Sequence, residues 1–484
     1  MDSNELKFLI EELRSMGKRT QICEVKKSVG NLPKSIIETL CAFANSVGGT
    51  LILGLSEKSH YTPAVGFNAL EMKIALVSVC KKLSPVVCPD IAIYPFEGAE
   101  ILVVQVPELS IAERPCFMRE QGMYRGSFLR TDKGNRLMTP YEVDRMRENN
   151  RQPQWDVQTV FEATIADLDP EAIINFVQRH RSLHPHIFRH LNDNEVLLNL
   201  RVIANDEGIL RPTLAGLLAL GIYPQKYYPS LVVRVTRYDD SYKDAKESIR
   251  ISDSKTFVGA IPEILSNSLD YVSGQGEDRK ALPPNAFAYP TEVIREVITN
   301  ALQHRDYSPE GRASSINMNV FDDLIEILSP GGLYGRMTME NLRQFGCSAN
   351  RNQFLSSVLE ATLTKPSRFV VENRGSGFLR IEEALEDGGM PPIEIQNTLT
   401  TFKVILPKRR SSAIKNLGLS LKDLREGIIK AIQENGTVSI RELTDISGCS
   451  RPTVYRRIQE LLNEGIIEGT DSLRSPRQRY RIKH

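Results

Sequence analysis

A carboxylate and an amide stand four residues apart in Glu296-Val-Ile-Thr-Asn300-Ala-Leu-Gln-His304. On a helix, positions i and i+4 are neighbours on one face, so the two side chains can serve one ligand. Glu296 can orient a water, while Asn300 can hold a magnesium ion among phosphate oxygens. A solvated helix with an incidental Glu and Asn is the alternative. Two glycine clusters follow: Ile327-Leu-Ser-Pro-Gly331-Gly332-Leu333 after an apolar strand pattern, and Glu372-Asn-Arg-Gly375-Ser-Gly377 before a helical run. Backbone N–H groups at such a helix start suit phosphate. Glycine pairs taken singly mark turns.

A helix, a strand ending in Gly-Gly, and a Gly-x-Gly leading into a helix are similar, in that order, to the N, G1 and G2 boxes of the GHKL ATPase superfamily. With His304-Arg-Asp306-Tyr and Asn350-Arg-Asn352 added, residues 165–407 resemble its divergent RecG-like branch, also described as divergent AAA. The resemblance implies an α/β sandwich that takes ATP and magnesium. In it Glu296 is the ATPase base, Asn300 the metal ligand, and Asn300, Gly331, Gly332, Gly375 and Gly377 the nucleotide contacts. GHKL enzymes read adenine through an Asp in the G1 box, where this chain has Leu328-Ser329-Pro330. A serine can share in that bond, but proline has no backbone N–H to donate. The expectation is therefore nucleotide binding with weak turnover.

Three positions near the N-terminus hold a second candidate chemistry. Ile22-Cys-Glu24-Val-Lys26 places Glu24 and Lys26 on one face of a strand, because side chains alternate with period two. Ala42-Phe-Ala-Asn45-Ser-Val-Gly-Gly49-Thr-Leu-Ile-Leu-Gly54-Leu-Ser-Glu57 then reads as a helix end, a double-glycine turn and a buried strand. These segments, with Gly122-Met-Tyr-Arg-Gly-Ser127, resemble the Schlafen-type AlbA_2 domain. Nucleolytic Schlafen proteins hold a divalent metal on three acids, and by motif two of these fall on Glu24 and Glu57. The third falls on Arg19, a cation where a ligand is needed. The resemblance thus implies a degenerate nuclease site, and Glu24 with Lys26 reads alternatively as an exposed same-face pair of little energetic consequence.

The C-terminal sequence carries the pattern for DNA. Leu424–Ile432, Gly436–Gly448 and Ser450–Leu462 read as three successive helices, the helix-turn-helix order in which the third enters the major groove. Val454, Ile458, Leu461 and Leu462 form its core face, leaving Arg451, Thr453, Tyr455, Arg456 and Arg457 for DNA. Arg474, Arg477, Arg479, Arg481 and Lys483 follow, the last three alternating with Tyr480 and Ile482, as in a wing strand laid on phosphates. Glu460, Glu464 and Glu468 are expected away from that face. The pattern resembles bacterial winged-helix regulators; a helical protein-interaction module with a basic tail is the alternative.

The 484 residues, 41% hydrophobic and 25% charged, suit a globular protein of several domains. A net charge of +1 excludes a polybasic coat, so a nucleic-acid surface has to be local. Seven scattered cysteines without a CxxC pair support neither a disulfide framework nor a zinc site. No signal-peptide pattern and no bilayer-length apolar run are apparent, which leads to the expectation of a cytoplasmic protein. The polar run Arg147–Trp155 and the segment from Pro407 read as linkers.

The resulting expectation is an α+β multidomain chain: a Schlafen-like AlbA_2 α/β domain over 1–150, a middle region with a divergent GHKL-type sandwich over 151–407, and a winged helix over 421–484. The expected function is nucleotide-modulated binding of double-stranded DNA, as a transcriptional regulator, by a homodimer or higher homo-oligomer. Two alternatives stay open: a Schlafen-type metal-dependent nuclease in phage defence, and a nucleotide-free oligomeric scaffold.

Overall fold

The computed structural model describes residues 3–16, 21–238, 242, 251–272, 289–344, 346–347, 349–364, 368–371, 377–408, 421–447, 451–470 and 479–483. It is a mixed α/β multidomain fold. Chain contacts divide it into two compact units, one of Met1–Pro153 with Tyr334–Arg336 and one of Gln154–Leu333 with Met337–His484.

The first unit is built on a four-stranded sheet in the order Cys23–Lys26, Gly49–Leu53, Ala99–Val106, Asp90–Phe96. The first pair is parallel and sets Glu24 beside Leu51, whereas the remaining pairs are antiparallel. Helix Ser3–Met16 covers one face through Leu6, Ile10 and Leu13, an i, i+4, i+7 stripe that seals against Val25, Ile52 and Val103. Helix Ile36–Ala44 fills the other face with Leu40, Cys41 and Phe43. Gly48 has a positive φ of 76°, and a Cβ there would stand 2.7 Å from the Val106 carbonyl oxygen, so this turn into the central strand requires glycine.

In the second unit a six-stranded sheet runs Ile251–Phe257, Val233–Tyr238, Ile316–Val320, Leu324–Pro330, Thr401–Pro407, Glu394–Asn397. Only the Val233–Tyr238 and Ile316–Val320 pair is parallel. Alternating Ile316, Met318 and Val320, with Ile325 and Ile327 opposite, bury one sheet face against helices Ile261–Val272, Thr291–His304 and Gly377–Asp387. Helix Leu214–Leu220, capped by the Thr213 side chain, is wholly buried. A Cβ at Gly216 would lie 2.0 Å from the Val202 carbonyl oxygen, so glycine lets helix and chain touch.

The same unit holds three C-terminal helices, Leu421–Asn435, Ile440–Ser447 and Arg451–Asn463, followed by the strands Ile467–Gly469 and Tyr480–Ile482. Val454, Ile458 and Leu461 enter a small core with Ile428, Ile432, Val438, Leu443 and Tyr480, and Leu462 packs at its edge. The turn at Gly448-Cys-Ser lies outside the described residues. No described helix is long and apolar enough to cross a membrane.

Candidate functional site

The Thr291–His304 helix buries Val293, Ile294, Val297, Ile298, Ala301 and Leu302, which leaves Glu296 and Asn300 half-buried on its flank. The Asn300 amide nitrogen donates to Glu296 Oε1 at 3.4 Å. Against this pair stands the first residue of the Gly377–Asp387 helix. A Cβ at Gly377 would be 2.3 Å from Glu296 Oε1 and 3.3 Å from Asn300 Nδ2, so only glycine leaves room beside both polar groups. Carboxylate, amide and a helix start with N–H groups free of intrahelical partners converge here, a combination suited to phosphate with a cation. Gly375 lies outside the described residues.

The other glycine pair is used differently. Gly331, with a φ of +91°, would bring a Cβ within 2.0 Å of Arg351 Nη1 and 2.9 Å of Asp306 Cβ. At Gly332 the Cβ would stand 1.7 Å from the Thr398 carbonyl oxygen. These neighbours are protein backbone and a buried guanidinium, and Arg351 Nη2 donates to the Gly332 carbonyl at 3.1 Å. On the side where a Cβ would stand, Gly331 and Gly332 border the protein itself. Ser329 likewise spends its hydroxyl proton on the Ala301 carbonyl at 3.2 Å. The strand end is fastened to the helix at the place where the resemblance put adenine recognition.

Sequence reasoning took His304-Arg-Asp306-Tyr and Asn350-Arg-Asn352 only as family markers; here they form one knot. Asn352 Nδ2 donates to the carbonyls of Gln303 and Arg305 at 2.9 Å each, satisfying the end of the Glu296–Asn300 helix. Asp306 takes the Ser308 N–H at 2.8 Å and the Ser308 hydroxyl at 3.0 Å, and its own N–H donates to the Pro330 carbonyl at 2.8 Å. Burial and the Arg351 charge push His304 down to about 4, so it is neutral at physiological pH. Asp156, the residue after the Arg147–Trp155 run read as a linker, was also missed. It is buried and accepts the N–H groups of Phe354 at 2.9 Å and Leu355 at 3.0 Å, at the start of the Gln353–Glu360 helix.

In the first unit Glu24 is only 2% exposed. Lys26 Nζ lies 2.7 Å from one carboxylate oxygen and Arg130 Nη2 lies 2.7 Å from the other. The exposed pair that the sequence offered as an alternative is thus corrected to a cluster in which Glu24 and Arg130 are buried and Lys26 is half-buried. Arg130 further donates to the carbonyls of Gln21 and Cys23 and to Asn135 Oδ1, with its guanidinium 5.1 Å from the Phe43 ring centre. Burial pushes the Glu24 carboxyl up, but the bonds from Lys26 and Arg130 outweigh it and hold the pKa below the ordinary carboxylate value. Glu57 opens the turn Glu57–Ser59 close enough to act on Cys23, whose thiol is pushed up to about 12 by burial and by the Glu24 and Glu57 charges. Arg19 lies outside the described residues. Both Glu24 oxygens are occupied by cations, which is not the donor set of a metal site. Asn45 of the Ala-Phe-Ala-Asn run holds the fold: it donates to the carbonyls of Cys116 and Phe128 and accepts the Cys116 N–H at 2.6 Å.

On the winged helix Tyr455 is 47% exposed and Arg456 also faces solvent. Arg457 is half-buried and pairs with Glu460. The side chains of Arg451 and Thr453, and the whole of Arg474 and Arg477, lie outside the described residues. The wing departs from the expected basic face. Arg481 meets Glu468, its register partner, at 2.6 Å, and Arg479 meets Glu442 at 2.8 Å. Glu460 and Glu468 are therefore interleaved with the basic residues instead of lying away from them, because cross-strand and i, i+3 geometry brings each acid to an arginine.

Comparison with known families gives four matches. Residues 20–139 match "Schlafen, AlbA_2", 144–233 a domain of unknown function, 313–406 "Putative ATP-dependent DNA helicase recG C-terminal", and 421–468 "Winged helix-turn-helix DNA-binding". No curated protein matches the chain. Among solved structures, a protein from Corynebacterium diphtheriae aligns over 99% of this chain and 100% of its own, at 15% identity and a TM-score of 0.38. The N-terminal domain of a RecG-related protein from Nitrosomonas europaea aligns over 25% of this chain and 86% of its own, at 28% identity and a TM-score of 0.22. The chain joins a Schlafen AlbA_2 domain, a RecG-type HATPase-like domain and a winged helix-turn-helix domain.

Proposed function

We propose that this protein is a nucleotide-modulated DNA-binding regulator. The observation that carries the reading is the convergence of Glu296, Asn300 and Gly377, in the same unit as a winged helix-turn-helix. Asn300 would hold magnesium, Gly377 would admit the phosphates, and Glu296 would orient water. Bound ATP supplies a charged polyphosphate whose binding energy can be spent on conformational bias. The base end differs from the GHKL pattern, since Ser329 is committed to Ala301 and Gly331 to its protein neighbours. Turnover is accordingly weak and selection of adenine over other bases is slight.

The winged helix takes duplex DNA through Tyr455 and Arg456, with Arg451 and Thr453 at the start of the same helix. A two-fold dimer suits a pseudo-palindromic target. The N-terminal domain takes nucleic acid without cutting it, because Glu24 is saturated by Lys26 and Arg130. Calorimetry of the full chain with magnesium and ATP, alongside anisotropy of a labelled duplex, tests the reading. Micromolar to millimolar ATP binding that is lost in Asn300→Ala, with a changed duplex affinity in the wild type, is expected. Absence of nucleotide binding at millimolar concentration would leave the scaffold alternative in its place.

A further inference from the structure

Opposite ends of one helix touch the two sites that this function would connect. The Gly377–Asp387 helix begins against Glu296 and Asn300. Nine residues on, about 14 Å along the axis, Glu386 Oε2 lies 2.9 Å from Arg456 Nη1, on the helix that would enter the major groove. Glu382, one turn earlier on the same face, holds Arg343 Nε at 2.5 Å. The Arg343 partner belongs to the segment that follows Gly332 in the chain, so two ion pairs on one helix face tie down two different elements. Between its ends the helix is anchored by Ile381 and Leu385, both 1% exposed, and such a packed helix moves as a body.

We propose that this helix is a latch: Glu386 sequesters Arg456 from DNA, and nucleotide phosphates arriving at Gly377 shift the helix and release it. The latch rests on the nucleotide reading for its trigger, but the Glu386–Arg456 contact acts on DNA binding whether or not a nucleotide is the signal. Arg456 also has Glu460 within 3.6 Å on its own helix, so on release it has an alternative partner and remains an ordered cation. The Arg456 side chain keeps 61% of its surface exposed, which makes the pair weak and therefore reversible. An exposed pair of up to ~1 kcal/mol corresponds to at most about a fivefold change in affinity, at the lower edge of ordinary regulatory coupling.

The test uses the full-length protein and anisotropy of a fluorescein-labelled, mixed-sequence duplex at low salt, with and without saturating magnesium–ATP. Glu386→Gln removes the partner of Arg456. Asp387→Asn removes one negative charge from the adjacent exposed position and controls for general electrostatic attraction. The latch predicts about two- to fivefold tighter binding by Glu386→Gln than by Asp387→Asn in the absence of nucleotide, and a smaller response to ATP in Glu386→Gln than in wild type. Equal affinities for the two variants, or no binding by either, would overturn it. If wild type shows no ATP response yet Glu386→Gln still binds more tightly than its control, the latch stands and the nucleotide reading fails. If wild type responds to ATP and both variants respond identically, the nucleotide reading stands and the latch fails.

Discussion

Glu24 and Glu296 each sit beside a glycine-bearing element within a candidate nucleotide or nucleic-acid domain, yet their surroundings are opposite. Glu24 is buried with a cation on each oxygen, whereas Glu296 is half-buried, next to an amide and facing the space that Gly377 leaves. A carboxylate whose charge is fully answered by protein cations holds structure. One that borders an amide and a missing Cβ has a ligand-sized gap beside it. The motif letters are equally good in both places, so the partners decide the role.

The largest expected effect tests the saturated site. Arg130→Ala takes the guanidinium from the buried Glu24 carboxylate and removes the bonds to Gln21, Cys23 and Asn135, so the first unit should lose ~3–5 kcal/mol in denaturant unfolding. A loss under ~1 kcal/mol would mean that Glu24 is not held as described. The pH dependence has a definite sign. The folded pKa of Glu24 is depressed, so its contribution is present above the unfolded value near ~4.3 and disappears as pH falls through the lower folded value. Acid unfolding of wild type should accordingly steepen below about pH 4, and Glu24→Gln should flatten that limb.

Glycine substitutions sharpen the contrast within the second unit. Gly332→Ala places a Cβ on the Thr398 carbonyl, and Gly331→Ala adds a left-handed φ to a clash with Arg351, so each should cost ~1–3 kcal/mol of stability. Gly377→Ala meets only the far ends of the Glu296 and Asn300 side chains, which can swing aside. Its melting temperature should stay within about 2 °C of wild type, while magnesium–ATP binding drops at least tenfold by calorimetry. Equal thermal losses at all three glycines would erase the distinction between packing and ligand glycines.

A smaller effect is expected at Asp156. Asp156→Ala removes the acceptor for two N–H groups at the start of the Gln353–Glu360 helix and should cost ~1–2 kcal/mol. Asp156→Asn keeps an acceptor oxygen and should cost less. The least effect belongs to the wing. Arg479 and Arg481 are already paired with Glu442 and Glu468, so Ala at either should change duplex affinity by less than ~1 kcal/mol. Arg456→Ala should exceed them in the same anisotropy measurement once magnesium–ATP is present to release it from Glu386.

What the sequence determined by itself was everything governed by short periods. Apolar spacing at i, i+4 and i+7 dictated the helix faces carrying Leu6, Ile10 and Leu13 or Val454, Ile458 and Leu461, and the same spacing set Glu296 beside Asn300. Period-two alternation put Tyr480 in the core and Arg479 and Arg481 on the other face. Tertiary structure alone decided the partners of the charged and polar groups. Arg130 reaches Glu24 across 106 residues, and Phe354 reaches Asp156 across 198, separations that no local pattern encodes. It also decided which glycines are spent on packing. A missing Cβ looks the same in sequence at Gly332 and Gly377, but a carbonyl fills the space at one and the ends of two polar side chains border it at the other. The physical reason is common to both cases: helix and strand geometry follow from backbone sterics acting over a few residues, whereas burial, charge compensation and free volume are properties of whatever chain happens to pack alongside.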